Sequence, residues 1–354
     1  MSRVLPAEGG LRRIIGDGHA IPDGEVDLTA DQHRDLYRRL VLLRTYDERS
    51  LVYHRQGRIG TYAIFWNHEA MQAGSEFALE LRDWIFPSYR ESAIGILRGM
   101  PVSTVLSWWR GHPAGWWDPQ ELGVASICVP IGTHVPHAVG FAWGSKLRGE
   151  DRVAIAYFGD GATSEGSFHE GATFAGVMKA PVVLFCNNNQ WAISTPIESQ
   201  TAAATLVEKA AGYGMPGVRV DGADVLAVYD ATRDAVVRAR AGEGPTFIEA
   251  VTYRSAPHAT ADDPTLYIDE ERVAEEKENE CVGRYQRYLE RLGILDDAQV
   301  EEVKQEALAV MRKGIAQAEA EPPADPGLVF EHAYAEPPPA LADDLAELRR
   351  VLDG

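Results

Sequence analysis

The chain has 354 residues, of which 45% are hydrophobic, enough for one large α/β domain with appendages or for two domains. Its formal net charge of −19 argues against nucleic acid and anionic membranes as partners; solubility accounts for it, with an acidic patch for a basic partner domain as the second reading. Cys128, Cys186 and Cys281 lie far apart without a CxxC and read as reduced core thiols of a cytoplasmic protein, while no run approaches a membrane span and the N-terminus lacks an apolar signal core.

Residues 1–27, with Gly9-Gly10, Pro22 and Gly24, read as an extended N-terminal arm. Thr29 is a good N-cap for a helix running to about Arg55, with Leu36, Leu40, Leu43 and Tyr46 spaced for one apolar face. After a turn at 56–60 comes Ile64–Ala70. Here His68 and Glu69 have two readings: groups near an active site, or a solvated histidine and a helix-capping glutamate. A strand-like run, Trp84–Phe86, stops at Pro87. It leaves Tyr89-Arg90 at a strand end, where an arginine either grips a phosphate or is a surface residue. Gly95–Leu106 reads as helix, broken at Gly99-Met100-Pro101. Residues 107–128 hold four of the eight tryptophans (Trp108, Trp109, Trp116, Trp117), as core packing or as interface and funnel lining. Val129–Gly140 leads into a helix. There His134 and His137, three apart with no third ligand, read as helix-face residues.

The centre of the chain carries the chemistry. Val153–Phe158 has the length and composition of a buried parallel strand and stops at Gly159-Asp160-Gly161. A helical segment follows over 167–178. A second apolar run, Pro181–Cys186, then ends at Asn187-Asn188-Asn189. Polar groups therefore stand at the carboxyl ends of two strands, where open parallel sheets bind ligands. Asp160 and Asn189 are hard oxygen donors that suit Mg²⁺ and not zinc. Gly159 and Gly161 admit close backbone approach to a phosphate, and Ala162 and Thr163 add amides at a helix start. Together they could hold a Mg²⁺–diphosphate. A helix over 200–217, a strand at Val218–Asp221, a helix over Asp224–Arg240 (with Leu226, Tyr229, Val236 and Val237 on or near its apolar face) and a strand at Thr246–Val251 follow. This alternation predicts an α/β fold, a mostly parallel sheet with helices on both faces. Residues 269–321 read as charged helices, with Tyr285, Tyr288, Leu289, Leu292 and Ile294 spaced for packing.

Gly159-Asp160-Gly161 and Asn188-Asn189, with 26 residues between them, resemble the thiamine diphosphate motif of the decarboxylase superfamily. The fuller strings, GDGATSEG from Gly159 and CNNNQWAISTP from Cys186, resemble the alpha subunit of the two-subunit 2-oxo acid dehydrogenases, first component. The resemblance spans about residues 28–340 and is weakest at 62–68 and 107–128. It implies a thiamine diphosphate-binding fold with Mg²⁺ held by Asp160, Asn189 and the backbone carbonyl of Trp191. It implies that Tyr89 and Arg90 contact the cofactor. Ile131 would wedge under thiamine, with Val129 beside it. Asn187 stands where some relatives carry a basic residue that reaches the phosphates. Glu170 falls where relatives often have an acid, and a helix-face carboxylate is the other reading. Tyr253–Pro264 resembles the family's histidine loop. His258 takes the catalytic place, moving protons with an ordinary imidazole pKa near 6.5, and Arg254 and Asp262 brace the loop. Ala259 replaces a serine that is phosphorylated in animal enzymes. Phe330, Tyr334 and Ala335-Glu336 resemble a tail that lies along the partner.

The implied organisation is an arm (1–27), a cofactor-binding α/β domain (28–268) and a helical C-terminal region and tail on the partner subunit (269–354). The implied reaction is oxidative decarboxylation of a small 2-oxo acid, branched-chain in preference to pyruvate, with acyl transfer to a lipoyl-bearing transacylase. The glutamate that activates the cofactor belongs to a beta subunit, so the expected enzyme is α2β2 and the lone chain inactive. Two alternatives remain: an acyloin synthase without a lipoyl acceptor, motivated by the altered 62–68 and 107–128 segments, and a non-catalytic scaffold subunit.

Overall fold

Five short apolar runs form one parallel sheet: β1 (Trp84–Phe86), β2 (Ala154–Gly159), β3 (Val182–Asn188), β4 (Gly217–Asp221) and β5 (Thr246–Val251). Their spatial order is β1-β2-β3-β5-β4. The structure is a computed structural model that describes residues 10–16, 19–20, 26–331 and 334–353. The longer helices are α1 (Ala30–Arg55), α2 (Glu69–Phe77), α3 (Val102–Trp109), α4 (His134–Leu147), α5 (Gly166–Met178), α6 (Val225–Arg240), α7 (Glu270–Glu278), α8 (Cys281–Arg291), α9 (Asp297–Ala320) and α10 (Pro339–Asp353).

Parallel strands need crossovers, and crossover helices cover both faces of the sheet. Side chains alternate accordingly. Ala154, Ala156 and Phe158 pack with Val135, Ala138 and Val139 of α4 and Phe168, Ala172 and Ala175 of α5. Val153, Ile155 and Tyr157 pack on the opposite side with Met71 of α2 and Val228, Ala231 and Ala235 of α6. Beyond that second layer, α1, α3, α8 and α9 share a third apolar cluster, with Leu36, Leu40, Val105, Leu289 and Val303 among its members.

Helix starts follow local chemistry. Thr29 caps α1 in a reciprocal box with Gln32. Asp224 caps α6 through Leu226 N and Ala227 N, and its second oxygen accepts from Ile14 N and Ile15 N at 2.6 Å each. That ties the arm to the fold: Arg12 bridges Val220 at the sheet edge, and Ile15–Gly16 pairs with His19–Ala20. Gly9, Pro22 and Gly24 of the expected arm lie outside the described residues.

Three expectations change. The helix expected over 200–217 exists only as short pieces, Leu206–Glu208 and Lys209–Gly212. Tertiary partners take its polar groups: the Glu249 carboxylate accepts from Val207 N at 2.8 Å, and the Gln200 side chain reaches Asp160. Val237 is 61% exposed and Leu292 51% exposed. Each helical residue turns about 100° from the one before, which carries Val237 out of the face that buries Val236. Leu292 lies at the cap of α8, where its apolar face runs out. Cys186 and Cys281 are buried core thiols as expected, whereas Cys128 is half-buried on a cavity wall. Among the described residues no helix is long and apolar enough to cross a membrane.

Candidate active site

Strands β1, β2 and β3 present their carboxyl ends to one cavity of about 710 Å³, and the loop after β5 brings His258 and Ala259 to its wall. Tyr89, Arg90, Val129, Ile131, Gly159, Asp160, Gly161, Ala162, Asn187, Asn189, Trp191 and His258 all line it, and Arg254 stands behind the wall. Strand register explains the convergence. Gly159 pairs with Asn187, so the end of β2 and the asparagines after β3 are neighbours. The ladder between β3 and β5 continues past both strands, with Thr252 N donating to Asn188 O (2.9 Å) and Arg254 N to Asn189 O (3.1 Å). The 124–128 segment runs beside β1, with Cys128 N on Pro87 O at 3.1 Å, which delivers Val129 and Ile131 to the same mouth.

Asp160 is buried, and burial pushes its carboxyl above the ordinary range, partly offset by the Gln200 amide that donates to it at 2.7 Å. Asn189 Oδ1 accepts from Trp191 N at 3.1 Å, and Trp191 O has a long contact, 3.4 Å, from Arg254 Nη1. Asn187 donates to the buried Glu91, while its own Oδ1 is buried without a partner. The two glycines differ. A Cβ on Gly161 would meet Ala192 Cβ at 2.7 Å, so the fold itself demands glycine there. A Cβ on Gly159 would meet nothing within 4 Å, and its φ of −80° is ordinary, so no contact within the chain demands it. Among the described residues no group of three His, Cys, Asp or Glu could hold a metal. The donors here are a carboxylate, an amide and a carbonyl oxygen, the set for a hard cation.

Across the cavity, Arg90 is buried and donates to Ile64 O and to His258, at 3.1 Å to its carbonyl and 3.3 Å to Nδ1. An arginine cannot accept, so Nδ1 carries the lone pair and Nε2 the proton. Burial, then Arg90 and Arg254, lower the His258 pKa to about 4. The imidazole is therefore neutral at pH 7, and the expectation of an ordinary pKa near 6.5 is corrected. Asp262 accepts from His258 N at 2.7 Å and from the Tyr267 hydroxyl, which in turn accepts from Arg254 Nη2 at 2.8 Å. Arg254 also donates to Ala256 O and Ile193 O. The loop is thus tied to the turn after β3 by one buried guanidinium.

Other residues differ from the sequence readings or escaped them. His68 is fully buried, not solvated, and Glu69 is buried against Arg44, not a cap. Trp108 and Trp109 line the cavity, Trp109 edge-on to Tyr62 at 5.2 Å; Trp117 packs against the core, and Trp116 is 81% exposed. Glu91 has no part in the sequence reading, although Ser88-x-x-Glu91 is a capping-box spacing. Ile193 lines the cavity at φ +56°, and no local signal places a β-branched residue in that conformation.

Residues 37–327 match the family described as dehydrogenase E1 component. The chain is 42% identical over 342 residues to the 3-methyl-2-oxobutanoate dehydrogenase subunit alpha of Mycobacterium tuberculosis, covering 94% of this chain and 92% of that one. It is 41% identical over 329 residues to the pyruvate dehydrogenase E1 component subunit alpha of Staphylococcus epidermidis, covering 92% and 89%. Over 318 residues it is 41% identical to the protein of that name from Staphylococcus aureus, covering 90% and 86%.

Proposed function

From the premise that this chain belongs to the dehydrogenase E1 component family, we propose that it is the alpha subunit of a thiamine diphosphate-dependent enzyme that oxidatively decarboxylates 2-oxo acids. The observation that carries the reading is the meeting of Gly159-Asp160-Gly161, Asn189, Arg90 and His258 on one cavity at the carboxyl ends of the sheet. The donors fit the cofactor's charged end. Asp160, Asn189 Oδ1 and Trp191 O would hold Mg²⁺, and a cation would relieve the buried carboxylate of Asp160. The amides of Gly159, Gly161 and Ala162, with Arg90 and Tyr89, would hold the diphosphate. The open space at Gly159 leaves room for that approach. Asn187 is neutral and supplies an acceptor, so the phosphates receive no cationic contact from it. Exposed Val129 and Ile131 would pack on the organic rings.

Thiamine diphosphate supplies the electron sink for loss of CO₂. The chain's own residues supply position and proton contacts. Neutral His258 presents Nε2–H as a donor, and Arg254 with Asp262 hold the loop that carries it. We further read a beta-subunit partner in an α2β2 assembly, a lipoyl-bearing transacylase as acyl acceptor, and a cytoplasmic location, in keeping with three unpaired cysteines. The division at 27/28 and 268/269 and a tail on the partner belong to the same reading. Exposed Val329 and Tyr334 support it. The preferred substrate is a branched-chain 2-oxo acid.

The test uses the purified α/β complex. Calorimetry should record Mg²⁺-dependent thiamine diphosphate binding. The kcat/KM for 2-oxoisovalerate should exceed that for pyruvate, with acyl transfer to a lipoyl domain. Acyloin formation without lipoyl acylation would move the assignment to a carboligase, and absence of cofactor binding would leave a scaffold subunit.

A further inference from the structure

We infer that His68 is a positioning residue that fixes which way the Asn189 side chain points; this rests on the cation-binding role proposed above for Asn189. His68 is not on the cavity wall. It lies behind Asn189, fully buried, with its Nε2 at 3.3 Å from Asn189 Nδ2. The directions of the hydrogen bonds follow from groups with only one possible role. The Trp66 carbonyl can only accept, so His68 Nδ1, 3.1 Å away, carries the proton. Nε2 is then a lone pair and takes a hydrogen from Asn189 Nδ2. At the other end, Trp191 N can only donate, and it faces Asn189 Oδ1 at 3.1 Å. Both ends give the same orientation of the amide. An amide flipped by half a turn would present two N–H groups to a cation in place of an oxygen, so the orientation decides whether Asn189 can be a ligand at all.

The segment carrying His68 is gripped on both sides. Asn67 is a buried non-glycine residue at φ +66°, a conformation that asparagine tolerates better than most. Its Oδ1 accepts from Cys281 N at 2.9 Å, one of the amides at the start of α8 that has no partner within the helix, and its Nδ2 reaches Thr252 Oγ1 at 3.4 Å. Glu69 accepts from Arg44 Nε at 2.5 Å and from the Cys281 thiol at 3.2 Å. Residues from α1, α8 and the exit of β5 therefore locate residue 68 against Asn189.

The experiment titrates Mg²⁺ by calorimetry into the α/β complex at saturating thiamine diphosphate, for wild type, His68→Phe, His68→Gln and Asn189→Ala. Removing a group that orients a metal ligand weakens metal binding by about 10–100-fold, and that rise in Kd is expected for His68→Phe. His68→Gln offers an acceptor oxygen to Asn189 and should return the Kd to within about threefold of wild type. A His68→Phe complex that binds Mg²⁺ like wild type, while Asn189→Ala does not, overturns the inference and leaves the role of Asn189 standing. So does a fall in Tm without a change in Kd. Unchanged binding by Asn189→Ala removes the premise and the inference together. Should His68→Phe fail to assemble, His68→Met, which also lacks a strong acceptor, is read by the same criteria.

Discussion

Tyr267→Phe removes one hydroxyl from the loop that carries His258 and leaves the ring in place. That hydroxyl donates to Asp262 and accepts from Arg254 at 2.8 Å, linking the buried guanidinium to the carboxylate that holds His258 N at 2.7 Å. Buried hydrogen bonds to charged groups contribute about 1.5–3 kcal/mol each, and partial exposure of Tyr267 and Asp262 places the two together at about 2 kcal/mol. At about 1.4 kcal/mol per tenfold, the loop should open about 30 times more often. Hydrogen exchange at the amides of residues 258 and 262 reads this directly, and thiamine diphosphate affinity of the α/β complex should fall by up to the same factor. Thr260 N, bonded to Tyr62 O at 2.9 Å, should respond less, because that anchor survives. Unchanged exchange at 258 and 262 would refute the bracing role of the Arg254–Tyr267–Asp262 string.

The two glycines should separate by their effect on stability. Gly159→Ala should leave the melting temperature of the chain near wild type and weaken cofactor binding, whereas Gly161→Ala should also destabilise the chain by about 1–3 kcal/mol through its clash with Ala192. Cofactor binding by Gly159→Ala at wild-type strength would exclude a diphosphate contact there. Asp47 is buried, accepts from Tyr62 Oη and Phe65 N on one oxygen, and burial followed by Glu69 raises its pKa from 3.8 to about 7. The folded chain then binds more protons than the unfolded chain in that window, so this group's contribution to stability falls as pH rises between 3.8 and about 7. Asp47→Asn keeps both accepted bonds, and its unfolding free energy should gain on wild type across that window; parallel stability–pH curves would contradict the shift. Trp116→Ser should leave the stability of the chain unchanged and weaken association with the beta subunit, measured by sedimentation; unaltered association would make Trp116 a free surface residue.

Much of the frame was legible in the residues. Two apolar runs with one helix between them predict parallel neighbours, and the sheet pairs them with Gly159 beside Asn187. Thr29 and Asp224 announce their helices because a cap acts within three residues. Tyr89-Arg90 follows a strand that ends at a proline, so its place at the sheet edge is local too. The helix expected over 200–217 failed for the opposite reason: partners distant in sequence, Glu249 and Asp160, claim the polar groups of Val207 and Gln200. His68, Glu91 and Ile193 likewise carry no local sign of the distant groups they meet. The sequence by itself determined the strand–helix–strand unit, its acidic and amide groups and the glycine that admits them, because these follow from periodicity and short-range hydrogen bonding. Only the tertiary structure decided that burial and two arginines lower the His258 pKa, that Arg254 ties two loops together and that His68 stands behind Asn189. Those properties depend on which distant groups share a low-dielectric space, and residue spacing does not encode that.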